Sequence, residues 1–163
     1  RARRGPRPGA GGRRHRLSAG SPGRVLGLDL GQRRIGVAVS DPDRVLAAPE
    51  RVIQRSGDLV RDRRAIADVA EEWEVSLIVV GLPLSLDGSE GPAATAALDE
   101  AARIGEVTGR PVETYDERFT TVTADQQLAE QHVRGRDRRK VIDMVAATVL
   151  LQAWLDRRPQ DPS

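Results

Sequence analysis

The 163-residue chain contains no cysteine. Disulfides, thiolate metal centres and cysteine nucleophiles are therefore excluded. Its two histidines, His15 and His132, stand far apart with no ligand spacing, which argues against a histidine zinc site. Aromatics are scarce: Trp73, Tyr115, Phe119 and Trp154 make up the whole set, so base stacking is a poor main source of affinity for a nucleic acid. No apolar run approaches the roughly 18 residues that span a membrane. A soluble, cytoplasmic protein with no membrane partner is expected. Lysine occurs once, at Lys140, so 25 of the 26 basic residues are arginine. Arginine suits phosphate chemistry, but a genome-wide preference for arginine codons gives the same bias, and no function is drawn from it.

The net charge of +2 averages two unlike parts. Residues 1–24 hold eight arginines and no acid, leaving 18 basic against 24 acidic residues in the remainder, a balance of −6. Any nucleic-acid footprint on the folded part is thus a local patch. Residues 1–23 form a Gly/Pro/Arg tail that cannot build a packed core and lacks the apolar segment of a secretory signal. It is expected to be disordered, as are residues 159–163. Residues 24–158 are long enough for one domain that buries about two-thirds of its unfolded surface.

That domain is organised around Arg24–Asp41, RVLGLDLGQRRIGVAVSD. Two β-branched and aliphatic runs, Val25–Leu30 and Ile35–Ser40, flank a tight turn through Gly31 to Arg34, the pattern of a hairpin. A third strand, about Val45–Gln54, carries Pro49, which marks it as an edge or an irregular strand. Ser56–Asp58 caps a helix to about Glu74, with Leu59, Ile66, Val69, Ala70 and Trp73 at helical spacing. SLIVVGLP is apolar without alternation, as in a strand covered on both faces of a partly parallel sheet. Pro92 suits a first helical position, and that helix stops near Gly109. A strand Val112–Tyr115 follows, then a helix start near Thr120–Thr123, a basic segment, and a last helix from about Asp137 to Arg157. The order implies an α/β fold with a mixed five-stranded sheet flanked by helices.

Three acids stand out. Asp29 lies inside the apolar hairpin among Gly27, Gly31 and Gly36, where a carboxylate must be bonded, paired or metal-bound; a plain turn cap explains it equally well. Asp143 shares its helix face with Ala146, Ala147, Leu150 and Trp154, the side where a carboxylate ought not to be. Glu117 follows the strand Val112–Tyr115, and ligands gather at the carboxyl ends of strands in open α/β sheets. If the strands bearing Asp29 and Glu117 are central and parallel, those two acids meet and the last helix can add Asp143. Three such carboxylates stay ionised together only with cations, and oxygen ligands suit Mg²⁺ or Mn²⁺. Asp116 competes for the place of Glu117, because strand register is open. Arg118 reads either as the ion-pair partner of its acidic neighbour or as a phosphate clamp. Arg33 and Arg34 in the hairpin turn, with Arg134, Arg136, Arg138, Arg139 and Lys140 beside Asp143, are candidate contacts to a phosphate backbone. The latter five sit in VRGRDRRK, which reads equally as a solvated charged loop.

In four ordered blocks, LGLDLGQRRIGVAVSD, IVVGLPLSLDGSEGP, DERFTTVTA and KVIDMVAATVLLQAWL, the chain closely resembles the YqgF (RuvX) family. These are relatives of the RuvC Holliday-junction resolvases with a ribonuclease H-like fold. The resemblance covers about Arg24 to Asp156 and places Asp29, Glu117 and Asp143 on the family's three acidic positions. It implies a nuclease that matures the ends of 16S ribosomal RNA in the cytoplasm, with branched DNA as the other proposed substrate, acting as a monomer or homodimer. Gln32 stands where the family often has Thr, and Ser85 where Asn is frequent; neither departure touches the acids. Two other readings remain. The actin-like ATPases and sugar kinases share a DxG hairpin but use two such domains, for which this chain lacks the length. A binding factor without catalysis in transcription or ribosome assembly has less need of all three acids.

Overall fold

The computed structural model describes residues 20–119 and 136–157. β1 (Val25–Leu30), β2 (Arg34–Ser40) and β3 (Ala47–Gln54) lead into α1 (Leu59–Glu72). Then come β4 (Leu77–Leu82), α2 (Pro92–Thr108), β5 (Val112–Asp116) and α3 (Arg136–Arg157). The strands form one sheet in the order β3-β2-β1-β4-β5. The first three pair antiparallel, whereas β1, β4 and β5 run parallel. The tail through Ala19, the helix expected near Thr120–Thr123 and the C-terminal residues 158–163 lie outside the described residues.

Each element follows from its local sequence. All six residues of β4 are buried, as its unbroken apolar run demands of a strand between two layers. β3 is an edge, where Pro49 costs no ladder bond to a further strand, and the β2–β3 register slips between Val37 and Ala38, opposite that proline. Asp58 caps α1 by accepting from the N–H groups of Val60 and Arg61. Ile66, Val69 and Ala70 then bury as their spacing requires. Leu59 departs from that expectation: in the first turn it lines a groove beside the hairpin turn and stays 51% exposed. Pro92 opens α2, and Gly109, at φ 65°, ends it in the left-handed conformation that glycine adopts without strain.

Two cores sandwich the sheet. Leu26, Leu28, Ile35, Val37, Ile78 and Val80 face α1 and α2. On the other side Val25, Ala38 and Val79 meet Ala147, Leu151 and Trp154 of α3. Helix α3 is pinned to the sheet at both margins. Gln152 accepts from the Ala47 N–H at 2.8 Å and donates to the Val45 carbonyl at 3.0 Å, while Trp154 Nε1 donates to Glu113 Oε2 at 2.9 Å. The hairpin turn is braced from behind: Arg55 donates through Nε to the Gly31 carbonyl at 2.7 Å and through its backbone N–H to the Arg33 carbonyl at 2.9 Å. Among the described residues no helix is long and apolar enough to cross a membrane.

Candidate active site

Asp29 is the fifth residue of β1 and stands opposite Gly36 of β2. Alternation along the strand puts it on the same face as Gly27, the face covered by α3. Glu117 follows β5 directly and begins a single 3-10 turn, Glu117–Phe119. β1 is central in the sheet, but β5 is its edge, with β4 between them. Two strand spacings separate the chains that carry these acids, about 9–10 Å. The gap is bridged over Gly81 of β4. A Cβ on that residue would fall 2.1 Å from Glu117 Oε1 and 2.8 Å from its Cγ and Cδ. The glycine leaves room for the Glu117 side chain to lie across the middle strand and reach Asp29.

The two carboxyls are joined by a hydrogen bond. Burial lifts Glu117 first, and the charge of Asp29, the hydrogen bond to it and the charge of Asp116 add to this, pushing its pKa up to about 8. Asp29 is also raised, mainly by burial and further by the charge of Asp143, while accepting the hydrogen bond from Glu117 works the other way. At neutral pH Glu117 is therefore the protonated donor and Asp29 its acceptor. Contact between carboxyls forces such a division.

Asp143 comes to the same corner on α3. Its backbone carbonyl lies so close to β2 that a Cβ on Gly36 would fall 2.0 Å from it. Its carboxylate, however, is turned onto Arg34: Nε donates to Oδ2 at 2.5 Å. Among the described residues no group of three acids or histidines is set to hold a metal ion. Two of the three expected carboxylates meet, and the third stands beside them, matched by a guanidinium. The cause is electrostatic. A proton on Glu117 and the Arg34 charge at Asp143 do the neutralising.

Asp116 is not the acid that reaches Asp29. It accepts from the Arg118 backbone N–H at 2.9 Å and from Nε and Nη2 at 2.8 and 2.5 Å. The Arg118 guanidinium holds this carboxyl well below its usual range. Arg118 thus takes the ion-pair arrangement, and its Nη1 also reaches the Leu86 carbonyl at 3.4 Å in the loop after β4. Of the other cations proposed for a phosphate backbone, Arg33, Arg139 and Lys140 are exposed. Arg34 is instead turned inward onto Asp143. Arg136 and Arg138 fall within the first turn of α3, and Arg134 lies outside the described residues. Sequence reasoning missed Gly81 and the Arg34–Asp143 pair, whereas the close approach of another backbone at Gly36 was readable from the missing side chain. Gly81 had a signal, as the one residue without a side chain in an otherwise apolar buried strand.

The donor chemistry fits a hard divalent cation. All three acids offer oxygen, the ligand set of Mg²⁺ or Mn²⁺. Their negative charge is balanced by a proton on Glu117 and the Arg34 guanidinium at Asp143. This mixed five-stranded sheet, with β1, β4 and β5 parallel and helices on both faces, has the ribonuclease H-like fold. The chain belongs to the RuvX family: the family profile described as "RuvX: Holliday junction resolvase" matches residues 23–157. A Rhodococcus opacus (strain B4) protein is 48% identical over 140 residues, 83% of this chain and 79% of its own length. An Anaeromyxobacter dehalogenans (strain 2CP-C) protein is 46% identical over 135 residues, 83% of this chain and 98% of its own length. Both carry the name "Putative pre-16S rRNA nuclease". Among solved structures, T. thermophilus RuvC in complex with a Holliday junction substrate aligns with a TM-score of 0.53 at 15% identity, covering 84% of this chain and 96% of that one. That likeness is one of fold.

Proposed function

We propose that the protein is a divalent-metal-dependent nuclease that trims the ends of the 16S ribosomal RNA precursor in the cytoplasm, with Asp29, Glu117 and Asp143 as its catalytic acids. The observation that carries this reading is the contact of Glu117 with Asp29 across Gly81, with Asp143 next to them on α3. Asp29, Glu117 and Asp143 would hold Mg²⁺ or Mn²⁺, which would supply activation of a water and stabilisation of the leaving oxygen in phosphodiester hydrolysis. The chain itself does the rest. β1 and the 3-10 turn after β5 fix two acids on opposite sides of β4, and α3 fixes the third. Exposed Arg33 on the hairpin turn, with Arg139 and Lys140 at the start of α3, offers positive charge to a phosphate backbone. With so few aromatics, recognition runs through backbone and shape.

A second reading, cleavage of four-way DNA junctions, is supported by the family description. It requires a two-fold dimer, since two strands are cut symmetrically. Purified protein incubated with a 16S precursor end and, separately, a four-way junction distinguishes the two. Cleavage of the RNA with Mg²⁺ or Mn²⁺ and none in EDTA is the expected result. Paired nicks in the junction with intact RNA would support the second reading. Tight binding without cleavage of either would refute both.

A further inference from the structure

The Arg34–Asp143 pair is built, not incidental. Arg34 opens β2 immediately after the hairpin turn, and that turn is clamped by Arg55 at the carbonyls of Gly31 and Arg33. Asp143 is fixed from the opposite side, its carbonyl seated against Gly36, two residues beyond Arg34. Both side chains are about four-fifths buried, at 23% and 20% exposure. A charge-assisted hydrogen bond between two held, half-desolvated groups is stronger than an exposed surface pair. Its position matters as much as its strength. Asp143 is the one candidate acid whose carboxylate is not in contact with the other two, and Arg34 is what it touches instead.

We infer that Arg34 is a positioning residue acting through Asp143, a built-in stand-in for the cation. It holds the third carboxylate beside Asp29 while no cation is bound and yields it when one arrives. The freed guanidinium then serves a substrate phosphate, the contact that its place in the hairpin turn next to exposed Arg33 allows. This rests on the nuclease reading above. Two consequences follow. A cation has to displace the guanidinium, so Arg34 lowers intrinsic metal affinity. Cation and nucleic acid also bind cooperatively through this one residue, and the coupling is the same in both directions.

The test is calorimetric titration of Mn²⁺ into the metal-free protein with no nucleic acid present. Arg34→Gln is expected to bind Mn²⁺ about 3- to 10-fold more tightly than wild type, the fold-change that corresponds to a charge-assisted hydrogen bond net of its replacement. Arg34→Lys, which keeps the charge without the planar fork, is expected to fall between them and serves if the Gln variant does not fold. In parallel, Mn²⁺ is expected to raise the affinity of wild type for a phosphorothioate-blocked RNA several-fold more than that of Arg34→Gln. Equal or weaker Mn²⁺ binding by both variants, with wild type binding normally, would overturn the inference alone. No Mn²⁺ binding by wild type or either variant would overturn the metal-dependent reading beneath it as well.

Discussion

Gly36→Ala is expected to unseat α3 and lower the melting temperature by about 10 °C or more, whereas Gly81→Ala leaves the melt nearly unchanged and cuts cleavage about 10²-fold. The two glycines sit on the same sheet but face different obstacles. A Cβ on Gly36 meets a backbone, the Asp143 carbonyl, at 2.0 Å, with Ala147 Cβ at 3.4 Å behind it. Neither strand nor helix can turn aside, so α3 has to lift from the hairpin and expose part of the core that holds Ala147, Leu151 and Trp154. Overpacking against yielding side chains costs about 1–3 kcal/mol. A clash between two backbones belongs at or above the top of that range, and each kcal/mol moves the melt of a domain this size by about 3–5 °C. At Gly81 the obstacle is the Glu117 side chain, which can swing out. The fold survives, but the acid loses its route across β4, and a displacement of about 1 Å at a catalytic group costs on the order of 10²-fold in rate. Thermal melts and a cleavage assay on both variants check the pair of expectations. A Gly36→Ala protein that melts with wild type would mean that α3 is not seated on β2 as described.

Gly81 also marks where the sequence stopped being legible, whereas Gly36 was readable as a place where another backbone comes close. The strand runs, the edge or irregular strand marked by Pro49, the double burial of SLIVVGLP and the apolar face that carries Asp143 were readable, because each depends on spacing within a single element. The choice between Asp116 and Glu117 was not. Alternation predicts opposite faces for neighbours in a strand, but β5 ends at Asp116 and Glu117 already belongs to a 3-10 turn, so the period that would have decided it has lapsed. The reach from β5 to β1 was hidden for a similar reason. It depends on a missing side chain on the strand between them, and strand order is a property of the folded sheet. Arg34 and Asp143 are 109 residues apart. Nothing local distinguishes an arginine that pairs with a distant carboxylate from one that waits for phosphate, and Arg118, read both ways, shows the same limit. Its partner was its neighbour in sequence.

Glu117→Gln is expected to cut cleavage by about 10³-fold and yet to make the metal-free protein more stable than wild type at alkaline pH. The loss of activity follows from removing one of two carboxyls in contact, in the middle of the range of about 10²- to 10⁴-fold that single acid–base groups contribute. The gain follows from proton linkage. Glu117 has a pKa of about 8 in the folded protein against 4.5 for the ordinary carboxyl. Below about pH 4.5 both folded and unfolded chains hold the proton, and its contribution to stability is complete. Between 4.5 and 8 only the folded chain retains it, so stability falls as pH rises, and by pH 8 the loss is essentially complete. Glutamine still donates an N–H to Asp29 but never ionises, so its variant escapes this decline. In EDTA the difference in melting temperature should therefore widen in favour of Gln from pH 5 to pH 9. Mg²⁺ reverses the ranking. Loading it expels the Glu117 proton, so the Mg²⁺-induced rise in the wild-type melt should grow from pH 6 to pH 8 and then level off, while the variant responds weakly throughout. Parallel melts of wild type and variant across that range, with and without Mg²⁺, check both halves. A difference in EDTA that stays flat with pH would mean that Glu117 carries no raised pKa and does not rest against Asp29, and with that contact gone the two acids would have no shared place for a cation.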